Sequence, residues 1–181
     1  MPESSEVKQL FNVGIVAAFA TLAFVGTTVI RIPIPATGGY FNLGDTFVMV
    51  AALLYGPFIG GLVGFIGPAL SDAIGFPQFI LATAVVKGIE GTVIGFISTG
   101  AKGDSLVKPV LSLLAGIGIL VGGYFVFEAY IYPALAKTIP FFKVTDAKAA
   151  LAEIVPNLLQ GTISAMIALG IWRIFTRKIE S

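Results

Sequence analysis

The chain contains neither cysteine nor histidine. Their absence excludes disulfides, thiol nucleophiles, imidazole bases and the usual zinc ligands, so any metal would rest on carboxylates alone. Charge is also scarce. Charged residues make up 12% of the 181, against about 25% in soluble domains. The net charge is +1, too small a field to draw in nucleic acid or acidic partners. No Walker A motif, Gly-x-Ser-x-Gly elbow or His-Glu-x-x-His pair is present, so the chain carries no recognisable ATPase, serine hydrolase or zinc protease machinery. An intramembrane carboxylate dyad is conceivable from Glu90 and Glu128, but nothing in their spacing supports it.

What fills the chain is apolar. Hydrophobic residues reach 56% and the mean hydropathy is +0.96. Phe11–Ile30 is uncharged for 20 residues, which at 1.5 Å per residue covers the roughly 30 Å hydrocarbon layer. It lacks the basic leader and short core of a signal peptide and reads as a retained span. Arg31 to Asp45 holds two prolines and the pair Gly38-Gly39, so it reads as an ordered loop. Thr46–Ser71 is uncharged but broken by Tyr55-Gly56-Pro57, leaving one kinked helix or two short ones. Phe79–Thr99 is the next span. Gly100–Lys108 is a polar turn. Pro109–Phe127 begins a helix expected to run through Glu128 to Tyr130.

Ile131–Lys148 reads as a loop, and Thr145 or Asp146 as the N-cap of a last helix that reaches Trp172. The expectation is an all-α membrane protein: one six-helix transmembrane bundle over residues 1–181, with short tails 1–10 and 173–181. Six spans would gather Lys8, Lys102, Lys108, Arg173, Arg177 and Lys178 on one side, against Arg31, Lys137, Lys143 and Lys148 on the other. The positive-inside rule then puts both termini in the cytoplasm.

A charge near the bilayer centre costs about 3 kcal/mol even on lenient scales, so polar intrusions are where function is read. Lys87 and Glu90 stand three apart on one helical face, either neutralising each other or facing a cavity. Asn42 and Asp45 end the first external loop, and Asp45 also suits a helix N-cap. Tyr124, Glu128 and Tyr132 lie near the outer end of the fifth span. The two tyrosines equally suit an interfacial belt. Asn157 and Gln160 share a face of the last helix with Ser164, as pocket groups or interhelical glue. Asp72, beside Gly75 and Pro77, reads as solvated. Convergence of these groups on the outer half favours a binding site. In the first span, Gly14, Ala17, Ala18 and Thr21 form a small-residue face open to close helix approach.

Residues 32–45, Ile-Pro-Ile-Pro-Ala-Thr-Gly-Gly-Tyr-Phe-Asn-Leu-Gly-Asp, followed by Ala51-Ala52-Leu53-Leu54-Tyr55-Gly56-Pro57, resemble the substrate-binding (S) components of energy-coupling-factor vitamin transporters. Gly60 to Asp72, Lys87-Gly88-Ile89-Glu90-Gly91 and Asn157-Leu158-Leu159-Gln160 extend the resemblance over most of residues 11–172. It is nearest to the riboflavin, hydroxymethylpyrimidine and pyridoxine-type branch. The resemblance implies six helices, hence two within 46–71, and a vitamin pocket open to the outside. It also implies docking of the first helix on a transmembrane coupling subunit above two ATPases. By position, Gly14, Ala17, Ala18 and Thr21 would dock, in a Gly-x-x-x-Ala rather than Ala-x-x-x-Ala pattern. Asn42, Asp45, Lys87, Glu90, Tyr124, Glu128, Tyr132, Asn157 and Gln160 are the candidate vitamin-binding set. No cofactor and no catalysis are expected. Amides and carboxylates suit a pyrimidine or pyridine vitamin precursor with amino or hydroxymethyl donors. Riboflavin is the alternative ligand, and a homo-oligomeric channel or carrier without ATPases the alternative class.

Overall fold

The computed structural model describes residues 3–35, 39–101, 105–142 and 146–180. Helix α1 (Glu3–Val29) leads into a small antiparallel hairpin, β1 (Ile32–Ile34) and β2 (Gly39–Phe41), in which Pro33 pairs with Tyr40. Then follow α2 (Gly44–Tyr55), α3 (Pro57–Gly75), α4 (Ile80–Ser98) and α5 (Val107–Val126). A π-helical turn, Phe127–Ile131, carries α5 into the single turn α6 (Tyr132–Leu135), and α7 (Ala147–Glu180) closes the chain.

Several expectations shift. The fold is nearly all-helical rather than wholly so, because Ile32-Pro33-Ile34 alternates as a strand and the Pro-rich stretch cannot be helical. Thr46–Ser71 is two helices, as the family resemblance implied. Gly56 between them has φ +85°, the left-handed conformation that glycine adopts without cost. The fifth helix overruns its expected end at Tyr130 and reaches Leu135, since a π turn lets the ladder continue through Glu128. The first and last helices extend into the expected tails, to Glu3 and Glu180. Asp146 caps α7, its Oδ1 accepting from Ala149 N at 2.8 Å. The other cap candidate, Thr145, lies outside the described residues.

Among the described residues, five helices are long and apolar enough to cross a membrane: α1, α3, α4, α5 with its extension, and α7. The 12-residue α2 rises only about 18 Å. The bundle is inverted relative to a soluble protein. Phe96 (75% exposed), Ile74 (72%) and Met166 (70%) face outward, while Asp45, Lys87, Glu90 and Ser164 are buried. A surface of this kind is stable only against lipid or partner helices.

Glycine sets the closest approach in the bundle. A Cβ on Gly60 of α3 would lie 2.6 Å from Ala52 Cβ of α2 and 2.7 Å from the Gly91 carbonyl of α4. Three backbones meet there, and none can give way cheaply. Gly60→Val is therefore expected to destabilise the purified protein by about 1–3 kcal/mol, read as a lower melting temperature in detergent. An unchanged melt would mean that α3 shifts freely.

Candidate functional site

The hairpin, the C-terminal end of α3, the first half of α4, the end of α5 and the first third of α7 meet at one end of the bundle. They surround a narrow, partly open cavity of about 40 Å³. The walls therefore stand close together, and a ring ligand enters only if side chains or the hairpin move apart.

Behind the cavity wall lies a buried charge cluster. Lys87 Nζ pairs with Asp45 Oδ1 and stands 3.5 Å from Glu90 Oε2. Lys87 reaches this position because α4 places Thr83, Lys87 and Glu90 on one face at i, i+4, i+7 spacing. Gln160 Nε2 donates to Asp45 Oδ2 at 2.8 Å, and Gln160 Oε1 accepts from the Asn42 backbone N–H at 2.8 Å. Asn42 Oδ1 in turn accepts from Gly44 N at 2.9 Å, binding the hairpin's end to the start of α2. A continuous polar chain thus ties the hairpin, α2, α4 and α7 together.

A second wall is built on Asp72. Tyr40 of β2 donates its phenol proton to Asp72 Oδ1. Burial first, and the Asp72 carboxylate second, push the Tyr40 phenol far above its ordinary range, so it keeps the proton it donates to Asp72. Arg31 braces this wall from outside, its guanidinium 5.0 Å from the Tyr40 ring and 5.2 Å from that of Phe76. It also donates to the Ser71 carbonyl at 2.9 Å. Thr83 and Tyr124 share a hydrogen bond of 3.0 Å, joining α4 to α5.

Of the nine residues expected to bind ligand, Asn42, Lys87, Tyr124, Glu128, Asn157 and Gln160 line the cavity. Asp45 and Glu90 do not; they sit behind Lys87 and hold it. Asp45 is no N-cap, because α2 begins one residue earlier and Asn42 supplies the local acceptor. The Lys87–Glu90 contact is real but secondary to Asp45. Tyr132 lies outside the cavity. Its hydroxyl accepts from Ala82 N at 3.3 Å and its ring stacks on Phe142 at 5.6 Å, making it a clamp between the α5 extension and α4.

Asp72 is the clear reversal. It was expected in solvent and is 1% exposed, because the hairpin folds over it and supplies Tyr40. Tyr40, Thr83 and Glu153 also line the cavity and had not been singled out. Thr83 precedes Lys87 by four residues and Glu153 precedes Asn157 by four, so helical spacing alone would have found both. Gly14, Ala17, Ala18 and Thr21 are all exposed on the face of α1 turned away from the bundle.

Residues 4–177 match the family described as ECF-type riboflavin transporter, S component. The chain belongs to this family. The "uncharacterized protein in gap 3'region" of Pyrococcus woesei is 34% identical over 155 residues, covering 86% of this chain and 95% of that one. A UPF0397 protein of Streptococcus agalactiae is 29% identical over 122 residues, 63% of this chain and 65% of its own length. Another from Clostridium perfringens is 46% identical over 50 residues, 28% of this chain and 27% of its own. S components are transporter subunits rather than enzymes; they serve vitamin uptake in the membrane and work with T and ATPase subunits. The inverted surface and apolar helices of this S component agree with that membrane setting.

Proposed function

We propose that this S component captures a water-soluble vitamin in the cavity beneath the hairpin and delivers it to an ATP-driven importer. The carrying observation is that buried polar side chains from several helices and the hairpin converge on one cavity inside an apolar bundle. Residues 1–181 act as one integral-membrane unit of six segments, with α2 as the short sixth. Both termini face the cytoplasm of a prokaryotic cell, the basic-residue bias supporting that orientation, so the cavity opens outward. No catalytic step is involved.

The ligand we favour is a pyrimidine or pyridine vitamin precursor, such as a hydroxymethylpyrimidine- or pyridoxine-like ring. A one-ring ligand asks least of a cavity this tight, and its amino or hydroxymethyl donors suit Asn157, Glu128 and Asp72. Riboflavin is the second reading, favoured by the family's description and by the phenol rings in the lining. Mass spectrometry of ligand co-purified in detergent separates the two. A flavin would overturn the first choice, and uptake that persists in cells without T and ATPase subunits would overturn the importer reading in favour of an independent carrier.

The exposed Gly14, Ala17, Ala18 and Thr21 supply the face for a coupling subunit. Ala18→Trp is expected to abolish vitamin uptake in cells while leaving binding by the purified protein unchanged, because the ring holds helices apart far from the cavity. Loss of both activities together would place this face inside the S component's own packing.

A further inference from the structure

A threonine inside a helix can donate its hydroxyl to the carbonyl four residues earlier, and this bundle uses that bond repeatedly. Thr21 donates to the Ala17 carbonyl at 2.8 Å, Thr28 to Phe24 at 2.7 Å, Thr92 to Gly88 at 2.8 Å and Thr162 to Leu158 at 2.7 Å. Thr27 does not. It is 1% exposed, and its Oγ1 is buried without a hydrogen-bond partner. Its carbonyl is already taken by Arg31 Nε at 3.2 Å. A Cβ on Gly44, the first residue of α2, would lie 1.9 Å from Thr27 Oγ1. Glycine there lets α2 begin against α1 with the hydroxyl between them.

Thr27 is also the one described residue of α1 that lines the cavity beneath the hairpin. The other uncharged polar side chains of that lining are nearly all committed. Tyr40 donates to Asp72, Thr83 and Tyr124 bond each other, and Asn42 and Gln160 are joined to one another and to Gly44 and Asp45. Asn157 and Thr27 are the two that are not. Thr46 and Ser164 hold buried hydroxyls without partners as well, but neither lines the cavity. A buried polar group without a partner destabilises a fold, and native proteins keep few of them. One kept at a binding cavity is accounted for when the ligand completes its bonding.

We infer that Thr27 is a specificity-determining residue of the cavity, its hydroxyl hydrogen-bonding the captured vitamin. This deepens the vitamin reading and rests on it. A hydroxyl both donates and accepts, so it suits a ring nitrogen, a carbonyl or a hydroxymethyl group. Helix α1 then carries a ligand contact at its hairpin end as well as the docking face proposed above.

Calorimetric titration of the full chain in detergent micelles with riboflavin, pyridoxine, thiamine and hydroxymethylpyrimidine first identifies which of these the wild type binds. Against that compound, Thr27→Val is expected to bind about 5- to 150-fold more weakly, the range for one lost buried hydrogen bond. Valine keeps the branched shape and removes a hydroxyl that bonds nothing in the ligand-free protein, so the ligand-free melt is expected to match or exceed that of the wild type. Thr27→Ser retains the hydroxyl and is expected to bind as the wild type does. Unchanged affinity in Thr27→Val overturns the inference while vitamin capture stands. So does a fall in affinity accompanied by a lower ligand-free melt, since the hydroxyl then braces α1 instead of meeting the ligand. Failure of the wild type to bind any of these compounds overturns the vitamin reading, and this inference with it.

Discussion

Lys87→Met is expected to cost the isolated protein about 3–5 kcal/mol of stability and to abolish high-affinity vitamin binding. Lys87 is 1% exposed, and Asp45 and Glu90 beside it are 0% exposed. Methionine fills much the same volume but leaves two fully buried carboxyl groups without their cation. Breaking a buried pair by removing one partner is far more damaging than replacing both. Lys87→Met/Asp45→Asn should therefore recover a large part of the lost stability, since the asparagine still accepts from Gln160 Nε2. Thermal melts of the two variants in detergent read the difference. If the single variant melts with the wild type, the cluster is not what joins α2 to α4.

That cluster shows how far the chain could be read before its structure was known. Lys87 and Glu90 advertised themselves, because charges inside an apolar span need a reason. Their i, i+3 spacing suggested mutual neutralisation. The stronger partner, Asp45, lies 42 positions away, and only the packing of α2 on α4 brings it there. Gln160 likewise reaches Asp45 and Asn42 across 115 and 118 positions. Helical spacing identifies residues that share a face; it says nothing about which faces meet.

The helices themselves were legible because long uncharged runs have few alternatives in a bilayer. Their ends were less so. The turn at Gly56 was visible in Tyr-Gly-Pro, yet hydropathy left one helix or two, and the family resemblance supplied the choice. The π turn at Phe127–Ile131 has no sequence signature here, so the fifth helix was ended too early and Tyr132 was placed in a loop. Asp72 was misjudged for a different reason. A carboxylate at a helix end beside Gly75 and Pro77 is ordinarily solvated, and what buries this one is the hairpin of β1 and β2 folding back over α3. That burial is a tertiary event invisible to local pattern.

Asn157 and Gln160 were grouped together on sequence, and the structure separates them. Gln160 spends its amide on Asp45 and Asn42 inside the protein, at 2.8 Å to each, and is 3% exposed. Asn157 lines the same cavity one turn earlier with no hydrogen bond from its side chain to another described residue. Gln160→Ala is therefore expected to lower both melting temperature and vitamin affinity, because it strips an acceptor from the Asn42 N–H and a donor from Asp45. Asn157→Ala is expected to weaken binding alone, by the about 1–3 kcal/mol of one desolvated hydrogen bond, or roughly 5- to 150-fold, with an unchanged melt of the ligand-free protein. An amide both donates and accepts, so it can read the edge of a ring nitrogen without carrying charge. Calorimetric titration with the co-purified ligand, alongside melts of ligand-free protein, resolves the two behaviours. If Asn157→Ala leaves affinity unchanged while lowering the melt, its amide braces α7 and the ligand does not touch that side of the cavity.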